Sequence, residues 1–313
     1  MSSPVILGVG GAHIDRRGHV TGDYVPAASN PGMMREEVGG GAFNALRIAQ
    51  LRGASVSLLS LRGGDAAAEA VSRAISEAGM EDHSAVFLDR ASPSYLALLD
   101  RHGDLIVGFA DMTLYDLAFT KQLRRSKARE IVAMADAVIC DANLPATGLE
   151  KLAALVGGKP FFAIGISPAK AQRLRGIFGA LTLAFLNHNE AKALTGLGND
   201  APPRELVAGL RTLGLQGAVM TSGPNPAIGF DAEGAFTIAP PAPDRVSDVT
   251  GAGDALAGAT VTALLGGVEL RQAVRHGVAA AKLAVESPHV FPGFTTESFA
   301  AALALVPEPE EVA

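Results

Sequence analysis

The sequence predicts an α/β fold, a mostly parallel central sheet with helices on both faces and a small β-sheet lid. Three observations lead there. Apolar runs alternate with helical patterns along most of the chain, as in PVILGVGG, NALRIAQLRG and SVSLLSL, and such alternation implies right-handed crossovers and parallel pairing. Several helical patterns end on glycine, which suits a left-handed C-terminal cap. Two segments, 16–38 and 92–111, break the rhythm and would sit badly inside a doubly wound sheet.

In chain order, PVILGVGG reads as the opening strand, and NALRIAQLRG as a helix ended by Gly53. SVSLLSL is the next strand. Asp65 stands where it would N-cap AAAEAVSRAISEAG, with Glu69 in the first turns and Gly79 at the end. ADAVICDANLP, KPFFAIGIS, LTLAFLN with HNEAKALTG, and Pro203 to Leu213 with GAVMTSG repeat the pattern. Residues 16–38 are polar with no helical period, and SPSYLALLDRHGDLIVGFAD reads as a hairpin turning at Arg101–Asp104. The expected division is a core of residues 1–15, 39–91 and 112–305, a lid of 16–38 and 92–111, and a flexible acidic tail of 306–313.

The chain has 313 residues, 48% of them hydrophobic, so one large core can be buried. A formal net charge of -6 argues against a nucleic-acid polymer or an anionic membrane surface as partner. The single cysteine, Cys140, leaves no internal disulfide and no thiolate metal cluster, and the histidines do not cluster at metal-ligand spacing. No apolar stretch reaches about 18 residues and the start lacks a basic segment before an apolar run. The expectation is a soluble cytoplasmic protein.

GVGGAHID follows a strand but has His13 where a dinucleotide fingerprint needs its third glycine, so it is a tight turn rather than a Rossmann site. Beyond that turn lies Asp15, at the carboxyl end of the first strand. Its carboxylate is placed either to accept two hydroxyl hydrogen bonds from a sugar diol or to stand as a solvated turn residue. In VGGGAFNAL the glycines Gly40 and Gly41 allow close approach to the backbone, while Asn44, taken alone, reads as a helix N-cap.

DVTGAGDALAGA carries more. Gly251, Ala252 and Gly253 open an apolar helix, so their amides converge on an anion hole favoured by the helix dipole. Dipole complementation alone would account for Asp254, but not for a glycine on each side of Ala252. A phosphoryl-transfer site accounts for both: amides steady the transferring group and Asp254 takes the proton of the attacking hydroxyl.

GGAFN with Gly53 and Gly63, followed by DVTGAGDALAGA, resembles the two signatures of the PfkB (ribokinase-like) carbohydrate kinases over essentially the whole chain. The resemblance implies Asp254 as base and Gly251, Ala252 and Gly253 as anion hole. It matches the family's N-x-x-E motif to Asn187 and Glu190, which implies Mg2+ and phosphate positioning, with Glu190 acting on the metal through water. Read without the family, the same pair is a helix cap with an acid in the first turn.

GGAHIDRRG, SPSYLALLD, ADMTLYDL, DANLP and ISPAKAQRL are most similar to the pseudouridine kinase branch. That resemblance implies ATP-dependent phosphorylation of the 5'-hydroxyl of pseudouridine, with Asp15, Gly40, Gly41 and Asn44 on the ribose and Tyr95 facing the base. Lys170 either reaches the ligands or is a solvated helix lysine. Thr221 and Gly223 would meet the nucleotide, although in TSGPNP Pro224 and Pro226 remove further donors. The implied cofactors are ATP and Mg2+, with a monovalent cation (K+) left open, and the implied partner is a second copy through the lid. A kinase for ribose, another nucleoside or another sugar, and a non-catalytic ligand sensor on a kinase scaffold, are the alternatives.

Overall fold

The computed structural model describes residues 3–198 and 200–312. Strand β1 (Val5–Val9) leads into β2 (His13–Val20), β3 (Gly32–Gly39) and helix α1 (Gly41–Leu51). Then come β4 (Ser55–Leu59), β5 (Leu61–Gly63), α2 (Ala66–Glu77), β6 (Glu81–Asp82), β7 (Ala85–Phe87), β8 (Ser94–Leu99) and β9 (Leu105–Asp111). The middle of the chain forms α3 (Thr113–Gln122), α4 (Ser126–Met134), β10 (Ala137–Asp141), α5 (Ala146–Val156), β11 (Phe161–Ile164), α6 (Pro168–Ala171) and a 3-10 helix (Gln172–Ala180). It continues through β12 (Leu183–Asn187), α7 (His188–Thr195), α8 (Pro203–Thr212), β13 (Ala218–Ser222), β14 (Asn225–Phe230) and β15 (Ala235–Ile238). The last elements are α9 (Ala252–Leu265), α10 (Leu270–Glu286), α11 (Thr296–Leu305) and β16 (Glu310–Glu311).

The large sheet runs β16-β15-β14-β13-β12-β11-β10-β1-β4-β6 and is parallel from β13 to β6. All five residues of β10 are buried, because helices cover both faces. Phe161 and Phe162 show the two layers. As neighbours on one strand they point to opposite faces, Phe161 into the layer with Tyr115, Phe119 and Phe178, and Phe162 into the layer with Phe43, Phe185 and Phe299. Cys140 is fully buried within the first layer. Asp65 caps α2 by accepting the Ala68 amide at 3.0 Å, while Gly53 and Gly79 take the left-handed φ that ends their helices. Among the described residues no helix is long and apolar enough to cross a membrane.

The segments outside the alternation form a separate sheet ordered β3-β2-β8-β9, with β2 and β8 parallel and the other pairs antiparallel. Its two central strands, β2 and β8, begin at His13 and Ser94. The sequence reading puts Asp15 at the carboxyl end of the first strand, but β1 ends at Val9 and Asp15 is the third residue of β2. The polar residues of β2 hid the strand because one face lies over a cleft and the other is exposed at the Arg16–Glu36 ion pair.

The tail also differs from its expected flexible state. Glu310 and Glu311 pair antiparallel with Thr237 and Phe236, and ion pairs Glu308–Arg275 (2.6 Å) and Glu311–Arg271 (2.9 Å) fasten them to α10. The acidic composition that suggested disorder is matched by a basic face on that helix.

Candidate active site

The site grows from the N-terminus of α9. Gly251 is the N-cap with φ 80, a conformation that favours glycine, and a Cβ there would lie 2.9 Å from the Val290 carbonyl oxygen. A Cβ on Gly253 would meet nothing within 4 Å. The first glycine therefore makes the turn, and the second leaves the helix tip open. The Ala252 amide makes a long 3.4 Å bond to the Val249 carbonyl, and the first amides of a helix have no partner within it.

Asp254, in the first turn of α9, lies at the edge of a cavity of about 350 Å³ lined also by Gly251, Gly253, Thr221, Asn187 and Glu190. Burial pushes its carboxyl up to about 7; the Asn44 hydrogen bond opposes this, while the negative charges of Asp141, Asp15 and Glu190 reinforce it. Asn44 is not a cap. The N-cap of α1 is Gly40, with φ 126, and Asn44 lies inside the helix with its Nδ2 donating to Asp254 Oδ2 at 2.9 Å. The helices can approach this closely because Gly258 has no side chain: a Cβ there would lie 2.2 Å from the Ala45 carbonyl oxygen.

On the far wall, Asn187 caps α7 and forms a reciprocal capping box with Glu190. Glu190 Oε2 accepts the Asn187 amide at 2.9 Å and Oε1 accepts Asn187 Nδ2 at 2.7 Å. Burial raises the Glu190 carboxyl to about 7. The pair is thus a helix cap and part of the cavity wall at once.

Thr221 reaches this cavity from an irregular stretch of β13. Met220 pairs with Ile228 but Ser222 with Asn225, so β14 has one extra residue opposite Thr221, and Pro226 sits at that bulge where no ladder amide is needed. Gly223 does not come along. It takes φ 56 in the two-residue turn between β13 and β14 and lines neither cavity. The prolines of TSGPNP serve the hairpin.

A second cleft of about 1020 Å³ opens under the lid and includes Asp15, Arg17, Arg35, Glu37, Tyr95 and Asp248; Val249 and Thr250 border both spaces. Asn44 Oδ1 is buried without a hydrogen-bond partner, and Asp15 Oδ1, also buried, has only His13 Nε2 near it, at 3.2 Å. Buried acceptors in this state are suited to hydroxyl donors from a ligand. A Cβ on Gly39 would lie 2.2 Å from Asp15 Oδ2, one on Gly40 2.2 Å from the Gly11 carbonyl, and one on Gly41 2.5 Å from Ile166 Cδ1, which accounts for three successive glycines. Lys170 is not a solvated lysine. Its Nζ donates to Asn143 Oδ1 at 2.6 Å, and burial lowers its pKa while Asp141 opposes that shift.

Asp141 is the site residue that sequence reasoning missed. It is fully buried at the end of β10. Its Oδ2 accepts the amides of Gly11 at 2.8 Å and Ala42 at 2.9 Å, and its Oδ1 that of Asn143 at 2.9 Å. One carboxylate therefore ties the turn after β1 to the N-terminus of α1. The available signal was an acid closing an otherwise apolar strand. Arg17 was also missed: Nη1 donates to Asp248 Oδ2, joining the lid to the loop before α9.

The arrangement offers an open helix tip for an anion, a half-buried acid near neutrality and acceptors for hydroxyls. Among the described residues no group of three or more His, Cys, Asp or Glu side chains converges as a metal cage. The donor set instead fits a magnesium ion that keeps waters and bound phosphates, with one carboxylate close by. The open space over Gly253 fits a phosphoryl group at the helix tip.

A model of the pfkB family of carbohydrate kinases matches residues 6–294. A pseudouridine kinase from Escherichia coli is 25% identical over 280 residues, covering 88% of this chain and 89% of that protein. A carbohydrate kinase from Agrobacterium tumefaciens superposes with a TM-score of 0.86 at 41% identity, covering 99% and 100% of the two chains. An Arabidopsis thaliana ribokinase, solved with ribose and ATP, superposes with a TM-score of 0.83 at 18% identity over 97% of this chain and 99% of that one, and shares the fold.

Proposed function

The chain belongs to the pfkB family of carbohydrate kinases, and from that premise we propose that it transfers the γ-phosphoryl group of ATP to the 5'-hydroxyl of pseudouridine. The coarser statement holds without the proposal: it is a phosphotransferase with an alcohol acceptor, of the sugar and nucleoside kinase type. The observation that carries the finer mechanism is Asp254, half-buried beside an open helix tip with its carboxyl near 7.

In this reading Asp254 takes the proton of the attacking hydroxyl, and a base of pKa near the working pH suits that task. The amides of Gly251, Ala252 and Gly253 neutralise charge on the transferring group. Asp15, Asn44 and the glycine turn at Gly40 and Gly41 hold the ribose, with Lys170 alongside and Tyr95 toward the base. Thr221 and Asn187 line the donor side. When bound, ATP supplies the phosphoryl group and Mg2+ the charge neutralisation on its phosphates, with Glu190 near the metal through water. The lid excludes water as a competing acceptor. We place the reaction in the cytoplasm.

The outer face of the lid supports a homodimer. Met34, Gly18, Leu98 and Val107 form one cross-strand row, and Met34, Val107 and Phe109 are exposed there, an apolar surface of the kind that partners cover. A non-catalytic sensor drew its support from the prolines of TSGPNP, and those are accounted for by the hairpin.

The test is ADP formation with ATP and Mg2+, with and without K+, against pseudouridine, uridine, ribose and hexoses. Turnover with pseudouridine at the highest kcat/KM is the expected result. Preference for another acceptor replaces the substrate, and no turnover with any of them removes the catalytic reading.

A further inference from the structure

Ile166 has φ 68, and among the described residues only Ala27 shares a positive φ without being glycine. The Ser167 amide donates to the Gly165 carbonyl at 2.8 Å, closing a three-residue γ-turn around Ile166. Left-handed backbone at a β-branched residue is strained, and such strain persists where the surroundings enforce it.

The surroundings are specific. Ile166 lies two residues past the end of β11 and its side chain lines the cavity that holds Asp254 and Gly253. Its Cδ1 covers Gly41, where a Cβ would lie 2.5 Å away, and it packs against both hydrophobic layers. Behind it, a Cβ on Gly165 would lie 2.3 Å from Glu190 Oε2. After it, Ser167 caps the short helix that carries Lys170. Gly41 thus clears space for one bulky apolar group between the acceptor turn and the Asp254 cavity, while Gly165 lets the strained turn lie against Glu190.

We propose that Ile166 is a positioning residue, an apolar wall held by its strained turn that keeps water from the transferring phosphoryl group while the acceptor hydroxyl rests against Asp254. This rests on reading the cavity as the phosphoryl-transfer site. Without the wall a water oxygen bonds to the γ-phosphorus, the bond to the bridging oxygen of ADP breaks, and Asp254 takes the water's proton. The products are ADP and inorganic phosphate.

Ile166→Gly relieves the turn and removes the wall, Ile166→Ala removes the wall alone, and Ile166→Leu keeps its bulk. Each is assayed with ATP, Mg2+ and pseudouridine or ribose, with ADP and phosphorylated acceptor counted in parallel and folding checked by thermal melting. The expected result is acceptor-independent ADP formation raised roughly tenfold relative to transfer in Ile166→Gly and Ile166→Ala, with acceptor KM little changed and coupling recovered in Ile166→Leu. A wild-type ratio of product to ADP in the glycine and alanine variants, or a proportional loss of both products, would overturn it. So would a leucine variant as uncoupled as the glycine one. If the wild type phosphorylates ribose and not pseudouridine, the acceptor assignment fails and the ribose arm still decides Ile166. A wild type that transfers to none of pseudouridine, uridine, ribose and hexoses overturns both.

Discussion

Asn44 Nδ2 donates to Asp254 Oδ2 at 2.9 Å across 210 residues of chain, and this bond joins the two glycine-rich signatures into one site. It exists because α1 and α9 pack backbone to backbone at Ala45 and Gly258. The bond has a directional effect. It stabilises the charged carboxylate, against a burial that favours the neutral acid.

Asp254→Asn keeps the shape of the side chain and removes its basicity. The expected outcome is a kcat lower by about 10²- to 10⁴-fold with acceptor affinity retained. Steady-state ADP formation together with calorimetric titration of the acceptor checks this, and a variant turning over at the wild-type rate rules out the assigned base.

The pH profile follows from the same bond. With the carboxyl near 7, kcat/KM should rise as pH increases through about 7, because only the deprotonated form accepts the proton. Asn44→Leu removes the donor that favours the charged form, so the acidic limb should move to higher pH. The loss in that variant is then larger at pH 6.5 than at pH 8.5, and an unmoved limb would separate the bond from the titration.

Asp65, Gly53 and Gly79 were legible because a cap and the helix it ends are neighbours in sequence. The turn around Gly251 and Asp254 was legible for the same reason. What escaped depends on distant partners. Asp141 holds amides 99 and 130 residues away, and Asn44 passes for a cap until α9 is beside it. The lid strands could be grouped but not bounded, since a sheet wet on both faces lacks the apolar alternation that marks strand ends. Tail residues Glu308 and Glu311 looked solvated because Arg275 and Arg271 meet them only in the folded chain.

Arg17 holds the lid to the loop before α9 through Asp248, and Asp248 Oδ1 also accepts the Thr250 amide at 2.8 Å. A second tie runs from Glu37 Oε2, which accepts the Val290 amide at 3.1 Å, and Val290 packs on Gly251. Arg17→Ala should therefore lower kcat/KM by about tenfold, the size expected for one charge-assisted hydrogen bond, with partial recovery in Arg17→Lys. Initial-rate kinetics across acceptor concentration will show the effect, and unchanged kcat/KM would mean that the tie is idle.

Gly258→Ala tests the packing that brings Asn44 to Asp254. The added Cβ would lie 2.2 Å from the Ala45 carbonyl oxygen, so the helices must move apart. Overpacking of this kind costs about 1–3 kcal/mol, and the melting temperature should fall accordingly. Because the shift also stretches the Asn44 bond, kcat should drop while Cys140, fully buried in the other layer, stays unreactive to thiol reagents in the native protein.

The carboxyl proposed as the catalytic base should also weaken the fold at neutral pH. Burial raises the folded Asp254 carboxyl to about 7 from its ordinary 3.8, and the Glu190 carboxyl to about 7 from 4.5. Between those values the folded state binds more protons than the unfolded state, so stability falls as pH rises from about 4 to 7. Asp254→Asn removes the Asp254 share, since a neutral amide carries no charge to desolvate and still accepts from Asn44. Its melting temperature should exceed that of the wild type at pH 8, and the gap should narrow by pH 5, where the wild-type carboxyl is already neutral. Scanning calorimetry at the two pH values reads this directly. A gain of equal size at both would assign the effect to packing rather than to the buried charge, and a loss at pH 8 would mean that the carboxylate is better solvated than its place beside the cavity implies.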